Sequence, residues 1–509
     1  MIRRTVTLHF LFVTLLGGML LQETHSEPLK RPNVLFLAVD DMRDWVGCLD
    51  GYGGVVQTPN IDQLAARGVL FSNAHCPSPK CAPSRAAVMT GLMPSTTGLY
   101  GNGHWWYPNL PDTVTMPGHF QQGEYLVVGA GKIFHHTAGN HPPNQWDDFA
   151  PIRFRDDPWF RGSQLNYPWS QSDPFPDAYP YGGVGGLPHE NDWGVLPIDD
   201  ADYDDALTVE YAVRFLKTIE SKKPFFLACG LFRPHLPWYV PQRFFDLYPL
   251  EEVTLPDVLD DDLSDIPQGG RDFANDRRKD FLTIKKAKSW RRAVQAYLAS
   301  ISYADFQVGR VLHALKKSGE EKRTIIVLWS DHGWHLGEKG HWHKSTLWEE
   351  ATRVPLIIAA PGYQRGVTSA PVGLIDLFPT LNELCGLPEI DSHDGMSLVP
   401  FLKNPGLRMN RVVVTEFRKG NAAVRSERYR YIRYAAGGEE LYDHSGDPNE
   451  WENLISVPEH RALADRLARH LPKTWAPSAP TKAAFDFDPS SFAWTEKRSG
   501  RVVSGRAKD

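Results

Sequence analysis

Asn33-Val34-Leu35-Phe36-Leu37-Ala38-Val39, followed at once by Asp40-Asp41, is the stretch that decides the fold. An apolar run without polar alternation reads as a strand buried on both faces, which is the pattern of a parallel sheet covered by helices. Its charged residues sit at the carboxyl end, where ligands of such sheets collect. Thr58, Pro59 and Gly68 then bracket a helix, with a cap residue, a proline at the first helical position and a glycine stop. The same grammar predicts strands over 125–128, 225–228, 324–329 and 354–359, and helices over 204–221 and 294–317. The expected fold is therefore α/β, one large and mostly parallel central sheet sandwiched by helices.

The rest of the chain is of a different kind. Residues 149–200 are rich in Pro, Gly, Asp and aromatics with little periodicity, and read as a long loop shaping a cleft. Short alternating stretches at 411–415, 422–425, 429–434 and 441–443, with a helical stretch over 459–470, predict a smaller C-terminal α+β domain with an antiparallel sheet. Residues 475–509 read as a polar segment that wraps the surface or stays disordered. The expected division is 1–26 signal peptide, 27–405 catalytic domain, 406–485 C-terminal subdomain and 486–509 tail.

Composition narrows the function. The chain has 509 residues and a net charge of -6, so the global balance does not advertise nucleic acid or an anionic membrane. Arg3 and Arg4, the apolar run from Leu8 to Leu21 and a polar stretch to Ser26 have the layout of a secretory signal, expected to lead to a secreted, periplasmic or lysosome-like compartment. That run is short of the roughly 20 residues of a membrane span, and no later segment reaches that length. Export permits disulfides, but five cysteines cannot all pair with one another.

Two acidic clusters stand at predicted strand ends: Asp40 with Asp41, and Asp331 with His332. Adjacent carboxylates repel unless a cation separates them, and three oxygen donors plus one His suit calcium or magnesium better than zinc. Either pair alone could simply cap a turn; together they favour a metal. Cys81-Ala82-Pro83-Ser84-Arg85 opens a second motif, a helix start that ends at Gly91. Backbone N–H groups at such a start favour an anion, and Cys81 there reads as a thiolate nucleophile, a partner for Cys76 or an inert residue.

With the strand-end Asp40-Asp41, the motif Cys-x-Pro-Ser-Arg at Cys81 to Arg85 resembles the type I sulfatases of the alkaline phosphatase superfamily. Asp331-His332-Gly333-Trp334-His335-Leu336-Gly337-Glu338, Gly131-Lys132-Ile133-Phe134-His135 and Arg233-Pro234-His235-Leu236-Pro237 are similar to the iduronate-2-sulfatase group within it. The resemblance implies an alkaline phosphatase-like fold and oxidation of Cys81 to Cα-formylglycine by a maturation enzyme. It implies a calcium ion held by Asp40, Asp41, Asp331, His332 and an oxygen of modified Cys81. Magnesium is the less favoured ion. Arg85 and Lys132 would steady the hydrated aldehyde, His135 would hydrogen-bond one of its hydroxyls, and Lys344 and His235 would face the ester, His235 protonating the departing alcohol. Lys132, His235, Trp334 and Lys344 would contact substrate, with Trp105, Trp106 and the 149–200 insertion lining sugar subsites.

The implied activity is hydrolysis of a sulfate ester on a carbohydrate, with iduronate 2-sulfate in heparan or dermatan type chains as the leading substrate. Two other readings fit the same residues: a phosphodiesterase or phosphonate hydrolase on the same fold, and a noncatalytic glycan-binding protein with unmodified Cys81.

Overall fold

The computed structural model describes residues 31–150, 180–188 and 191–506. The expected signal peptide and most of the 149–200 insertion lie outside these residues.

Eight strands form the central sheet: β1 Asn33–Val39, β2 Val69–Phe71, β3 Leu126–Gly131, β4 Asp148–Ala150, β5 Phe225–Leu231, β6 Thr324–Ser330, β7 Leu356–Ala359 and β8 Gly366–Thr368. Their order is β8-β2-β7-β6-β1-β5-β3-β4. Every residue of β1 is buried, and its side chains split between two cores. Leu35, Leu37 and Val39 face one core, Val34, Phe36 and Ala38 the other, as the two-residue period of a strand requires. Helices α1 Pro59–Arg67, α2 Cys81–Thr90, α3 Asp204–Thr218, α4 Trp290–Lys317 and α5 Leu377–Cys385 divide accordingly. Residues of α1, α3 and α4 fill the first core, and residues of α2 and α5 the second. The α/β architecture expected from the sequence is the one observed.

β1 pairs in parallel with β5 and β6, setting Val39 against Leu231 and Ser330. That register brings Asp40 and Asp331 together at one edge of the sheet. β3 runs parallel to β5 and ends beside it, Gly131 against Gly230. A Cβ on Gly131 (φ +75°) would stand 2.1 Å from the Gly230 carbonyl oxygen, so only glycine lets the chain turn there and send Lys132 to the same edge. β7 departs from the parallel pattern, pairing antiparallel with both β6 and β2. No long helix lies between Ser330 and Leu356, so the chain returns by a loop rather than by the crossover that parallel pairing needs.

The C-terminal region carries a four-stranded antiparallel sheet, β9 Val413–Glu416, β10 Ala422–Arg425, β11 Tyr429–Arg433 and β12 Glu439–Asp443, in sequential order, with helix α6 Arg461–Ala468 beside it. Residues beyond 475 are more ordered than a surface wrap. β13 Phe485–Asp488, β14 Ala493–Glu496 and β15 Val502–Ser504 form a third sheet, and Phe485 and Trp494 are buried against Trp105 and Tyr107. The strands are too short and too polar to announce themselves by pattern. Among the described residues no helix is long and apolar enough to cross a membrane. All five cysteines are free.

Candidate active site

The carboxyl edge of β1 and β6 meets the start of α2, and the resulting cluster is completely buried. Ligand atoms of Asp40, Asp41, Cys81, Asp331 and His332 all lie within 4.8 Å of one another. Asp41 adopts a left-handed backbone (φ +56°), a conformation that Asp tolerates better than most residues. Its amide donates to Asp331 Oδ1 at 3.1 Å and its carbonyl accepts from Tyr297 at 2.8 Å. The turn is thus fixed from both sides, and its carboxylate faces the cluster.

Cations ring the acids. Arg85 Nε donates to Asp331 Oδ2 at 2.8 Å, and Arg85 Nη2 to Asp40 Oδ1 at 3.0 Å. Lys132 pairs with the other oxygen of Asp40. Lys344 Nζ donates to Asp41 Oδ1 at 2.6 Å and to Cys81 Sγ at 3.1 Å. His235 Nε2 stands 3.8 Å from Asp41 Oδ2. Arg85 and Lys132, expected to steady the hydrated aldehyde at Cys81, pair here with the acids, and Arg85 also binds the backbone oxygens of Lys132 and Ile133.

The donor set suits a divalent cation. Burial raises the Asp331 carboxyl, but Arg85 and His332 bring it well below the ordinary range. Burial and the neighbouring Asp331 push Asp40 well above that range, so the buried carboxylates strain against one another despite their cationic neighbours. Asp41 Oδ2 is buried without a hydrogen-bond partner. His332 Nδ1 lies 3.1 Å from the Gly333 carbonyl, which can only accept, so Nδ1 carries the proton. Nε2 therefore presents a lone pair to Cys81 at 3.2 Å and to Asp41 Oδ1 at 3.3 Å. Burial holds this imidazole down at about 4, hence neutral. Lone pairs that converge in this way are the arrangement a cation relieves.

Cys81 begins α2, whose residues are all buried and whose end is closed by left-handed Gly91. Ser84 ties the helix to the acid cluster by donating to the Asp331 carbonyl at 2.6 Å. Asn102 accepts from the Ala82 amide at 3.0 Å, using one of the helix's unpaired N–H groups.

A family model described as Sulfatase matches residues 32–387. The chain belongs to the sulfatase family. A second model, described as N-sulphoglucosamine sulphohydrolase, C-terminal, matches 337–476. A protein named Sulfatase from Formosa agariphila is 41% identical over 504 residues, 95% of this chain and 94% of its own. Iduronate 2-sulfatase of Mus musculus is 35% identical over 406 residues, 70% of this chain and 69% of its own. A solved phosphonate monoester hydrolase from Silicibacter pomeroyi has a TM-score of 0.68 and 25% identity, covering 86% of this chain and 94% of that one. This sulfatase is accordingly a sulfuric ester hydrolase of alkaline phosphatase-like fold, as the motifs at Asp40, Cys81 and Asp331 led one to expect.

The tryptophans expected at the rim are elsewhere. Trp334 is 1% exposed and packs on Trp238 and His343, with Lys344 Nζ 5.3 Å above its ring. It supports the lysine from below and offers no open face to a sugar. Trp105 and Trp106 are likewise buried, their indole N–H groups donating to the backbone of Ala138 and Asn140. Sequence reasoning also passed over Thr137, Asn140 and Lys482. Lys482 Nζ reaches Thr137 Oγ1 across 345 positions, a contact with no local pattern to reveal it.

Proposed function

We propose that this sulfatase removes sulfate from a sulfated carbohydrate by way of a matured Cys81, with a calcium ion held by Asp40, Asp41, Asp331 and His332. The observation that carries this reading is the thiol of Cys81, buried at a helix start within 3.2 Å of both Lys344 Nζ and His332 Nε2. Cys81 as the formylglycine hydrate would supply an oxygen nucleophile and a carbonyl route for releasing sulfate, and the cation would neutralise charge there. Magnesium is the alternative ion.

The chain's own residues prepare that site. Arg85 and Lys132 hold Asp40 and Asp331 in place as ligands. Lys344 bridges Asp41 and Cys81, so its ammonium faces an incoming sulfo group while remaining fixed by a carboxylate. His235 donates from Nδ1 to the Leu236 carbonyl at 2.5 Å, which leaves Nε2 directed at Asp41 and the reacting region. Burial, Lys132 and Lys344 hold His235 well below its ordinary range. Its role as proton donor to the leaving oxygen thus requires that the bound anionic ester favour its protonation.

The iduronate 2-sulfatase likeness makes a 2-O-sulfated uronic acid in a glycosaminoglycan the leading substrate, and the N-terminal sequence supports export and an encounter with a maturation enzyme. Residues 27–405 form the catalytic unit in this reading, and 406–485 the C-terminal one. The test is released sulfate from a panel of sulfated mono- and oligosaccharides, alongside an aryl sulfate and an aryl phosphate diester. Sulfated uronic acids should turn over fastest. Faster turnover of the phosphate diester would favour the second reading, to which the phosphonate monoester hydrolase likeness lends support.

A further inference from the structure

The segment that follows α6 returns to the active site. Its backbone is stapled to the loop after α2: Ala476 N donates to Ser95 O at 2.8 Å, Ala479 N to Gly98 O at 3.0 Å and Lys482 N to Gly103 O at 2.7 Å. The Lys482 ammonium lies 5.6 Å over the Trp105 ring and donates to Thr137 Oγ1 at 2.5 Å. Thr137 stands two residues after His135 and is 3.0 Å from its Nδ1.

Counting donors and acceptors at this hydroxyl leaves a single solution. Asn140 Nδ2 donates to the Thr137 carbonyl at 2.7 Å and to Thr137 Oγ1 at 2.7 Å. The carbonyl can only accept, so the amide nitrogen is fixed in that position. Thr137 Oγ1 therefore accepts twice, from Lys482 and from Asn140, and both lone pairs are used. Its one proton is left for His135 Nδ1. A ring that accepts at Nδ1 carries its proton on Nε2, and that nitrogen is buried without a partner. His135 lines, with Ala82, Pro83 and His104, the hollow beside the start of α2.

We propose that Lys482 and Asn140, acting through Thr137, lock His135 in the tautomer protonated on Nε2, so that the C-terminal segment completes the active site by fixing a hydrogen-bond donor in the hollow at the start of α2. This deepens the proposed function and rests on it for the catalytic consequence. Lys482, Asn140 and Thr137 are positioning residues. His135 is the group that meets the oxygen of matured Cys81 or of the ester. Burial, the adjacent His136 and the cations Lys482, Lys132 and Lys344 all oppose protonation of His135, so the ring stays neutral and donates through one nitrogen only. A neutral donor offers no second proton to the bound anion, and it can keep its orientation through turnover.

The experiment is a 15N spectrum of histidine-labelled, matured full-length protein, with the His135 signals assigned by their loss in His135→Gln. The wild type should show one His135 tautomer, protonated on Nε2. Thr137→Val and Lys482→Met should each give a mixture, and Thr137→Val should lower kcat on the order of 10- to 100-fold with little change in KM, while Thr137→Ser restores the single tautomer and the rate. A wild-type ring protonated on Nδ1, or a Thr137→Val variant that keeps both tautomer and kcat, overturns the proposal. If the wild type hydrolyses no sulfate ester, the proposed function fails, and the spectrum still decides the tautomer.

Discussion

Nζ of Lys344 lies 3.1 Å from Sγ of Cys81, and the same ammonium donates to Asp41 at 2.6 Å. Burial works against its charge, but Asp41 and Cys81 hold its pKa above the ordinary lysine range. The lysine is therefore cationic across the working pH. Lys344→Met should lower kcat/KM for an aryl sulfate on the order of 100- to 1,000-fold, as removal of a preorganised charge stabiliser does. Rates of sulfate release measure this, and near wild-type turnover would remove Lys344 from the site.

Arg85 is fully buried between Asp40 and Asp331. Breaking a buried pair leaves carboxylates without compensation, at a cost of about 3–5 kcal/mol. Arg85→Gln should lower stability to urea by that order, and calcium should recover part of the loss by taking over the carboxylates. A variant as stable as wild type would show that other groups already neutralise the acids.

Chelation separates metal from fold. Treatment with EDTA should abolish sulfate release, and calcium should restore it. A ligand present at 100 times its Kd adds about 2.7 kcal/mol to stability, so the thermal midpoint should fall on chelation and recover with it. Activity that survives exhaustive chelation contradicts a metal at Asp40, Asp41, Asp331 and His332.

Glu416, at the end of β9, accepts from Ser95 N at 2.6 Å and from Ser95 Oγ at 2.7 Å. Burial pushes its carboxyl from 4.5 up to about 7. The folded state thus holds the proton more tightly than the unfolded chain, and the associated stability is present below about pH 4.5 and fades as the pH rises through about 7. The change is on the order of 3 kcal/mol. Urea midpoints across this window should slope downward in the wild type and flatten in Glu416→Gln; parallel slopes would exclude Glu416 as the source.

Much of this site is legible in the sequence because it is built at strand and helix ends. A doubly buried strand ending in Asp40-Asp41 and another ending in Asp331-His332 reveal both their elements and their chemistry by local pattern. Cys81 to Arg85 does the same for a helix start. The contacts between these segments follow from parallel pairing, which the apolar runs already imply. What stayed hidden has long-range causes. β7 reverses direction because of what its connection lacks, and no residue within it says so. Trp334 is apolar and close in sequence to Asp331-His332, a description that suits a sugar platform as well as a buried support, and only the packing of Trp238 and His343 decides. Lys482 resembles any surface lysine until the C-terminal segment is laid across Trp105.

The central claim is that Cys81 works only after conversion, and one paired measurement addresses it most directly. Protein made with graded amounts of the maturation enzyme is digested, the Cys81 peptide is weighed, and sulfate release is measured on the same samples. Conversion of the thiol to the aldehyde removes about 18 Da. The account predicts that activity rises in proportion to the converted fraction and extrapolates to zero when none is converted. Full activity in a preparation whose Cys81 peptide retains the mass of unmodified cysteine would contradict it.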